Sequence, residues 1–321
     1  MSTLIDHDPA DTWADVLAPI NPIIEAREVG ENITHEQYSK QPLGALRGHP
    51  DYILSGGDLA SFYECPKKWL AGEDDESTKS TEWGSLIDCL MMAPREFDSR
   101  YILIPETYTN EKGKEKPWNF NADACREWRE LYSDRTPIKK STLKDAERAV
   151  GEMRYDYAFR EVFLNSRKQV MLTGIYLDEA TSIRVPLRAL LDLVPDAAFL
   201  ADLKTTRNAH PKAWRKQVYE CGYHAQAARH LDLWNAAHND NRREFRHYIQ
   251  ENFSPYQTAK RILSPEYISI GRETYVRALK LYAQCIATGN WPDYDRAESN
   301  ADLVVDGHLV VSPEPWMSMV L

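Results

Sequence analysis

What this 321-residue sequence lacks narrows it first. No apolar run is long enough to span a bilayer. The opening stretch, "MSTLIDHDPADTW", has neither a basic start nor an apolar core, so no secretory signal is expected there. The five cysteines (Cys65, Cys89, Cys125, Cys221 and Cys285) are scattered, odd in number and form no C-x-x-C pair. That argues against a disulfide framework and a zinc ribbon, and for a reducing compartment. There is no basic excess either: the net charge is −10, so no global field attracts nucleic acid. Internal repeats and low-complexity tracts are missing as well. Together these absences predict a soluble, cytoplasmic protein with no membrane partner.

What is present points to a packed protein. Hydrophobic residues make up 43% of the chain, enough for a real core in one large domain, or one domain plus an arm. Charge is spread unevenly. Residues 1–35 carry Asp6, Asp8, Asp11, Asp15, Glu25, Glu28 and Glu31 against Arg27 alone. Residues 201–216 carry Lys204, Arg207, Lys212, Arg215 and Lys216 against Asp202 alone. An anionic ligand responds to such a local patch more than to the total, because exposed charges are screened beyond roughly 10 Å.

Residues 1–50 mix acids with Pro and Gly and read as an acidic N-terminal arm or peripheral layer; 51–321 read as the main domain. "YILSGGDLASFYECPKKWLAG" (52–72) predicts a helix, capped by Ser55 or Asp58. Further helices are expected over 82–97, 120–133, 141–166, 212–238 and 269–287, with a loop at 105–121. Successive strands are expected over 168–178, 182–195 and 197–206, with turn chemistry at "PDA", and two more follow 244. A helical front, a central hairpin sheet, then a helix and more strands describe an α/β or α+β fold with mixed strand directions.

The chemistry concentrates at "ADLKTT" (201–206). On a strand, Asp202 and Lys204 share a face. With a turn centred near Asp196, Asp192 falls opposite residue 201 or 202, about 5 Å away. Two such carboxylates repel each other, which raises one pKa. A divalent cation resolves the conflict: Mg²⁺ takes oxygen ligands, typically one or two carboxylates with waters and a substrate phosphate. A lysine alongside can orient water and stabilise a phosphoryl transition state. The competing interpretation of Asp202 and Lys204 is a plain ion pair.

At this point the sequence resembles a known family. "RALLDLVP…FLADLKTT" is similar to the signature of PD-(D/E)XK nucleases, in particular their RecB-like and RecE-like (exonuclease VIII type) branch. "ILSGGDLASFYECPKKW", "EWGSLIDCLMMAPREFDSRYILIP", "YHAQAARHLDLW" and "CIATGNWPDY" resemble further elements of that branch, in the same order, from about 52 to 295. The resemblance implies a restriction-endonuclease-like core, a central mixed β-sheet flanked by helices. It implies that Asp192, Asp202 and the Leu203 carbonyl hold Mg²⁺ (or Mn²⁺), that Lys204 is catalytic, and that Gln226 supports it on a helix face with Tyr223 and His230. Gln169 falls near a position where relatives carry Glu or Gln. Two residues depart from the pattern: Asp88 stands where the family has a helix histidine, and His230 where it has a tyrosine. Asp ligates Mg²⁺ at least as well as His, so Asp88 joins the expected metal ligands.

For DNA contact the resemblance nominates Ser55, Lys67 and Lys68, and the basic run adds Arg207 and Lys212. Ser55 is equally a helix cap, the two lysines equally answer a helix dipole, and the basic run equally reads as a solvated helix face. Cys65 matches an iron–sulfur ligand of some relatives, but Cys285 is alone near the C-terminal end, so no iron–sulfur cluster is expected and both read as structural thiols. His224 and His230 read as supporting or solvent-facing residues rather than ligands. The implied protein is a metal-dependent exonuclease of phage or bacterial recombination. It acts on double-stranded DNA ends, resects from 5′ to 3′, assembles as a homo-oligomeric ring and serves a single-strand annealing protein. The alternatives are a structure-specific or restriction-type endonuclease, a degenerate DNA-binding or assembly protein, and a structural protein in which Asp202–Lys204 is only an ion pair.

Overall fold

A computed structural model describes residues 21–72 and 79–294, with short strand pieces at 304–305 and 308–309. Strand β1 (Ile23–Gly30) opens the described chain, followed by the short helix α1 (His35–Ser39). The helix expected over 52–72 is two. Helix α2 (Gly56–Glu64) starts at a capping box in which Ser55 and Asp58 reciprocate, and α3 (Pro66–Ala71) restarts with Pro66 in its first turn. Proline lacks the N–H an unbroken helix would need and is at home at a first helical position, so the chain bends at Cys65. Helix α4 (Lys79–Met92) and a 3₁₀ turn (Pro94–Glu96) lead to α5 (Phe97–Arg100).

Next comes a small lobe: β2 (Tyr101–Leu103), a hairpin of β3 (Thr107–Thr109) and β4 (Glu115–Pro117), α6 (Asp123–Leu131) and β5 (Thr136–Ile138). The stretch expected as a loop thus carries a hairpin. The helix expected over 141–166 divides into α7 (Lys140–Tyr155) and α8 (Tyr157–Leu164), because the Asp156 carboxylate accepts the N–H groups of Ala158 and Phe159 and starts a new helix.

The long strands fall where alternation placed them: β6 (Ser166–Asp178), β7 (Ile183–Pro195) and β8 (Phe199–Thr206). After them come α9 (Pro211–Glu220), α10 (Tyr223–His238), β9 (Glu244–Glu251), β10 (Thr258–Ile262) and α11 (Pro265–Thr288). The single helix expected over 212–238 breaks at Gly222, whose φ of +65° few other residues adopt cheaply. The sheet order is β1-β6-β7-β8-β9-β10. All neighbours are antiparallel except β8 and β9, which the α9–α10 crossover joins in parallel. Residues before 50 therefore contribute β1, the edge strand of this mixed sheet.

Each face of the sheet buries its own core. One holds Leu59, Phe62 and Trp69 from α2 and α3 against Leu187, Ala227, Leu231, Tyr275 and Tyr282. The other packs Leu86 and Ile87 of α4 and Met153 and Phe159 of α7 and α8 on Leu193, Ala201 and Leu203. Each of the buried Leu, Ile, Met and Phe side chains contributes about 1.5–3 kcal/mol. The two layers clamp β8 from both sides, so α4 and α10 approach the same strand from opposite faces.

Candidate active site

The ladder between β7 and β8 joins only Leu193 to Ala201. That register sets Asp192 across from Asp202, the juxtaposition expected from the turn. Beyond that pair the Asp192 carboxylate, rather than the β7 backbone, accepts the Leu203 N–H at 3.0 Å. An extended residue sends its N–H and C=O to the same strand edge, so the Leu203 carbonyl faces this gap as well. The alternation of β7 slips here too: Val185, Leu187, Ala189 and Leu191 enter one core, Leu193 the other, and Val194 the first again.

On the α10 side of β8, Lys204 Nζ lies 2.5 Å from Asp202 Oδ2, with the two side chains 15% and 2% exposed. That oxygen is buried and has no other partner. The second oxygen, Oδ1, accepts a hydrogen bond from Gln226 Nε2 at 3.2 Å. Lys204 Nζ also stands 4.7 Å over the Tyr223 ring, one turn before Gln226 on α10. Burial alone would lower the lysine's pKa, but the carboxylates of Asp202 and Asp192 outweigh it and hold Lys204 above its ordinary value. The ammonium is therefore charged at neutral pH.

From the other face, α4 brings Asp88. Burial first, then the charges of Asp202 and Glu96, push its carboxyl up to about 6, against the pull of Arg100 and Lys204. Burial, then Asp202 and Asp88, also lift Asp192 well above the carboxylate range, although Lys204 and the Leu203 N–H favour its anion. Three acids thus raise one another's energy around one lysine. A divalent cation that prefers oxygen fits this donor set, because it would relieve their repulsion. Among the described residues, however, no three His, Cys, Asp or Glu side chains are gathered closely enough to hold a metal as they stand. The Lys204 ammonium supplies the positive charge instead.

The remaining expected residues lie apart from this centre or already have partners. The Ser55 hydroxyl donates to Asp58 Oδ2 at 2.6 Å and accepts the Asp58 N–H at 3.1 Å, as a helix cap. Lys67 is exposed and 3.3 Å from Asp293, while Lys68 is partly buried. Arg207 and Lys212 are both exposed, after β8 and at the start of α9. Cys65 and Cys285 are buried. Neither His224 nor His230 faces solvent: both are buried on α10, and His224 Nδ1 contacts the Val218 carbonyl.

Three groups escaped sequence reasoning. Arg100 balances Asp88 from α5. His247, fully buried, stands in register beside Asp202 on β9 and has no hydrogen-bond partner for either ring nitrogen. Arg188 and Arg229 are buried behind α2, where Arg229 donates to the Arg188 carbonyl at 2.9 Å. For Arg100 and His247 the signal is spatial, since strand pairing and helix docking, not spacing, bring them in.

Comparison with known proteins agrees with this fold. A family profile described as a PDDEXK-like domain of unknown function (DUF3799) matches residues 55–301. No curated protein matches the sequence. Among solved structures, a candidate exonuclease from Eubacterium rectale aligns over 91% of this chain and 99% of its own, at 13% identity and a TM-score of 0.50, a likeness of fold. Rai1 from Scheffersomyces stipitis aligns over 36% of this chain and 32% of its own, at 17% identity and a TM-score of 0.21, too loose to carry argument.

Proposed function

The chain belongs to the DUF3799 family of PDDEXK-like domains, and from that premise we propose that it is a metal-dependent exonuclease that digests linear double-stranded DNA from its ends. One observation carries the reading: Asp192, Asp202 and Lys204 converge where the β7–β8 ladder stops. Mg²⁺, or Mn²⁺ in its place, held by Asp192, Asp202, Asp88 and the Leu203 carbonyl, would neutralise charge developing on the phosphoryl oxygens. The chain's own groups supply the rest. Lys204, beside Asp202, would orient the attacking water and donate to the scissile phosphate. Gln226 keeps Asp202 in one rotamer. Resection from 5′ to 3′, a ring-shaped homo-oligomer, delivery of the overhang to a single-strand annealing protein and a cytoplasmic site of action complete the proposal by analogy with RecE-like proteins. Ser55, Lys67, Lys68, Arg207 and Lys212 are its candidate phosphate contacts.

A second reading has its own support. Lys204 already neutralises Asp202, and no acidic trio is preassembled among the described residues. A degenerate DNA-binding protein would look like this. The deciding experiment incubates the protein with Mg²⁺ or Mn²⁺ on linear duplex labelled at either end, beside a closed circle, EDTA and a Lys204→Ala control. Digestion of the linear form alone, lost with EDTA and in the variant, supports the exonuclease and reads its polarity. Cutting of the circle favours an endonuclease, and binding without cleavage the degenerate protein.

A further inference from the structure

The lobe between α5 and α7 is not used by the chemistry above. It begins at Tyr101, directly after Arg100, and its two ends are tied by parallel pairing of β2 and β5 (Tyr101 with Thr136, Leu103 with Ile138). Tyr101 is buried in one core with Ile87 and Cys89, the neighbours of Asp88 on α4, so the lobe is rooted beside the candidate centre.

Its hairpin has two unlike faces. In β3–β4, Tyr108 pairs with Lys116 and Thr109 with Glu115. One residue further, the Asn110 N–H bonds the Lys114 carbonyl at 3.0 Å, so Lys114 falls on the same face as Tyr108 and Lys116. The other face holds Thr107, Thr109 and Glu115, and Glu115 is occupied by the Thr107 hydroxyl at 2.6 Å. Glu106 is drawn away to Lys140. Lys112 at the tip, Lys114 and Lys116 are all exposed, and no ion pair engages any of them among the described residues. The hairpin is also held firmly. Trp118 follows β4 and packs edge-on against Trp128 (5.0 Å) and Phe120 (6.0 Å), and Trp128 against Tyr132 (5.2 Å). Phe120 remains 47% exposed beside this cluster.

We propose that this lobe grips single-stranded DNA, with Lys112, Lys114 and Lys116 on its phosphates and Tyr108 and Phe120 against unpaired bases. The inference rests on the nuclease reading for its biological sense, but not for its test. Lys114 and Lys116 lie two residues apart on a strand, about 7 Å, comparable to the spacing of successive phosphates in an extended strand. Phe120 is exposed and Tyr108 half-buried, and the free faces of such rings stack on bases freed from a duplex. The lobe also offers no long helix to enter a major groove.

The test is fluorescence anisotropy of the full chain in EDTA, where nothing is cleaved, with a labelled single-stranded oligonucleotide and a blunt duplex of equal length over a salt series. The triple change Lys112→Gln, Lys114→Gln, Lys116→Gln should weaken single-strand binding at least tenfold. It should also flatten the salt slope by about 2, since each lost phosphate contact removes roughly 0.7. Phe120→Ala should weaken binding without changing the slope, and arginine at the three lysine positions should restore it. Unchanged single-strand affinity and slope in the triple variant overturns the grip, as does a loss confined to the duplex or a parent protein that binds no single strand. If the triple variant melts early, Lys114→Glu, a single exposed change, takes its place: weaker single-strand binding supports the grip and unchanged binding overturns it. A protein that binds single strands through these lysines yet cleaves nothing with Mg²⁺ would sink the nuclease reading and leave the grip standing.

Discussion

Gln169 stands directly across from Asp192. Their flanking neighbours pair as Lys168 with Leu193 and Val170 with Leu191, and Gln169 has a φ of +49°. An ordinary side chain in the left-handed region costs about 1 kcal/mol or more. Gln169 is also 7% exposed, with no partner for its amide nitrogen. Strain and an unsatisfied donor beside a carboxylate are what a site poised for a ligand looks like. Gln169→Ala keeps the strained backbone and removes the amide with one methylene. It should change the urea midpoint little and lower cleavage severalfold, which parallel unfolding and nuclease assays would separate.

Replacing Lys204 by alanine should reduce cleavage by about 10²–10⁴-fold, the usual reach of a positioned acid–base group. It also strips Asp202 of its counter-charge. Leaving a buried charge unpaired costs about 3–5 kcal/mol, so the metal-free variant should unfold at markedly lower urea. If the acids do hold Mg²⁺, adding it should recover part of that loss; denaturation with and without the metal measures this.

Asp88 sets a pH dependence. Its carboxyl titrates at about 6 in the folded protein against an ordinary 3.8. Between those values the folded protein keeps a proton that the unfolded chain has lost. The stability Asp88 contributes is therefore complete below about pH 4 and is lost as pH rises through 6. Asp88→Asn should raise the melting temperature of the metal-free protein at pH 7.5, by a margin that shrinks towards pH 4, and should weaken stabilisation by Mg²⁺. Melting curves over that pH range decide it.

For Asp192 two substitutions divide charge from geometry. Asparagine can still accept the Leu203 N–H; alanine cannot and forfeits about 1 kcal/mol. Both should abolish cleavage, but only Asp192→Ala should also fail to preserve stability in urea. Activity surviving in Asp192→Asn would remove the carboxylate from the mechanism.

Gly271 on α11 offers a check independent of the chemistry. A Cβ there would collide with the backbone of His224 and Ala225 on α10. Backbone cannot step aside, so Gly271→Ala should cost several kcal/mol. If Gly271→Ala folds at low temperature, a nuclease assay there should show lost activity, because α10 carries Gln226 and Tyr223.

How much was legible in the sequence depends on the range of the interaction. The β7–β8 hairpin was readable to within one residue, since the "PDA" turn and the apolar run put Asp192 opposite 201 or 202. Asp192, Asp202 and Lys204 meet for that reason, whereas Gln226 comes from α10 and was named only by the family resemblance. The breaks at Cys65 and Gly222 were written in Pro66 and Gly222, but a continuing apolar stripe hid them. Strand β1 (IIEAREVG) escaped because it is an edge strand, half exposed and full of charge. The company of Asp88 was unreadable: Arg100 is twelve residues away along the chain and reaches it only through the turn at Pro94–Glu96.

The single rung between Leu193 and Ala201 makes the length of one small turn a functional quantity. With so little pairing between them, the link from Pro195 to Phe199 and the Leu203 N–H held by Asp192 keep the two acids abreast. One residue added there would slide β8 past β7 and swing Asp202 and Lys204 towards the opposite side of the sheet, away from Gln226. The same slip would turn Leu200 out of one core and Ala201 and Leu203 out of the other, so the centre and the packing would fail together. Among relatives of this chain, that link should tolerate changes of residue far better than changes of length.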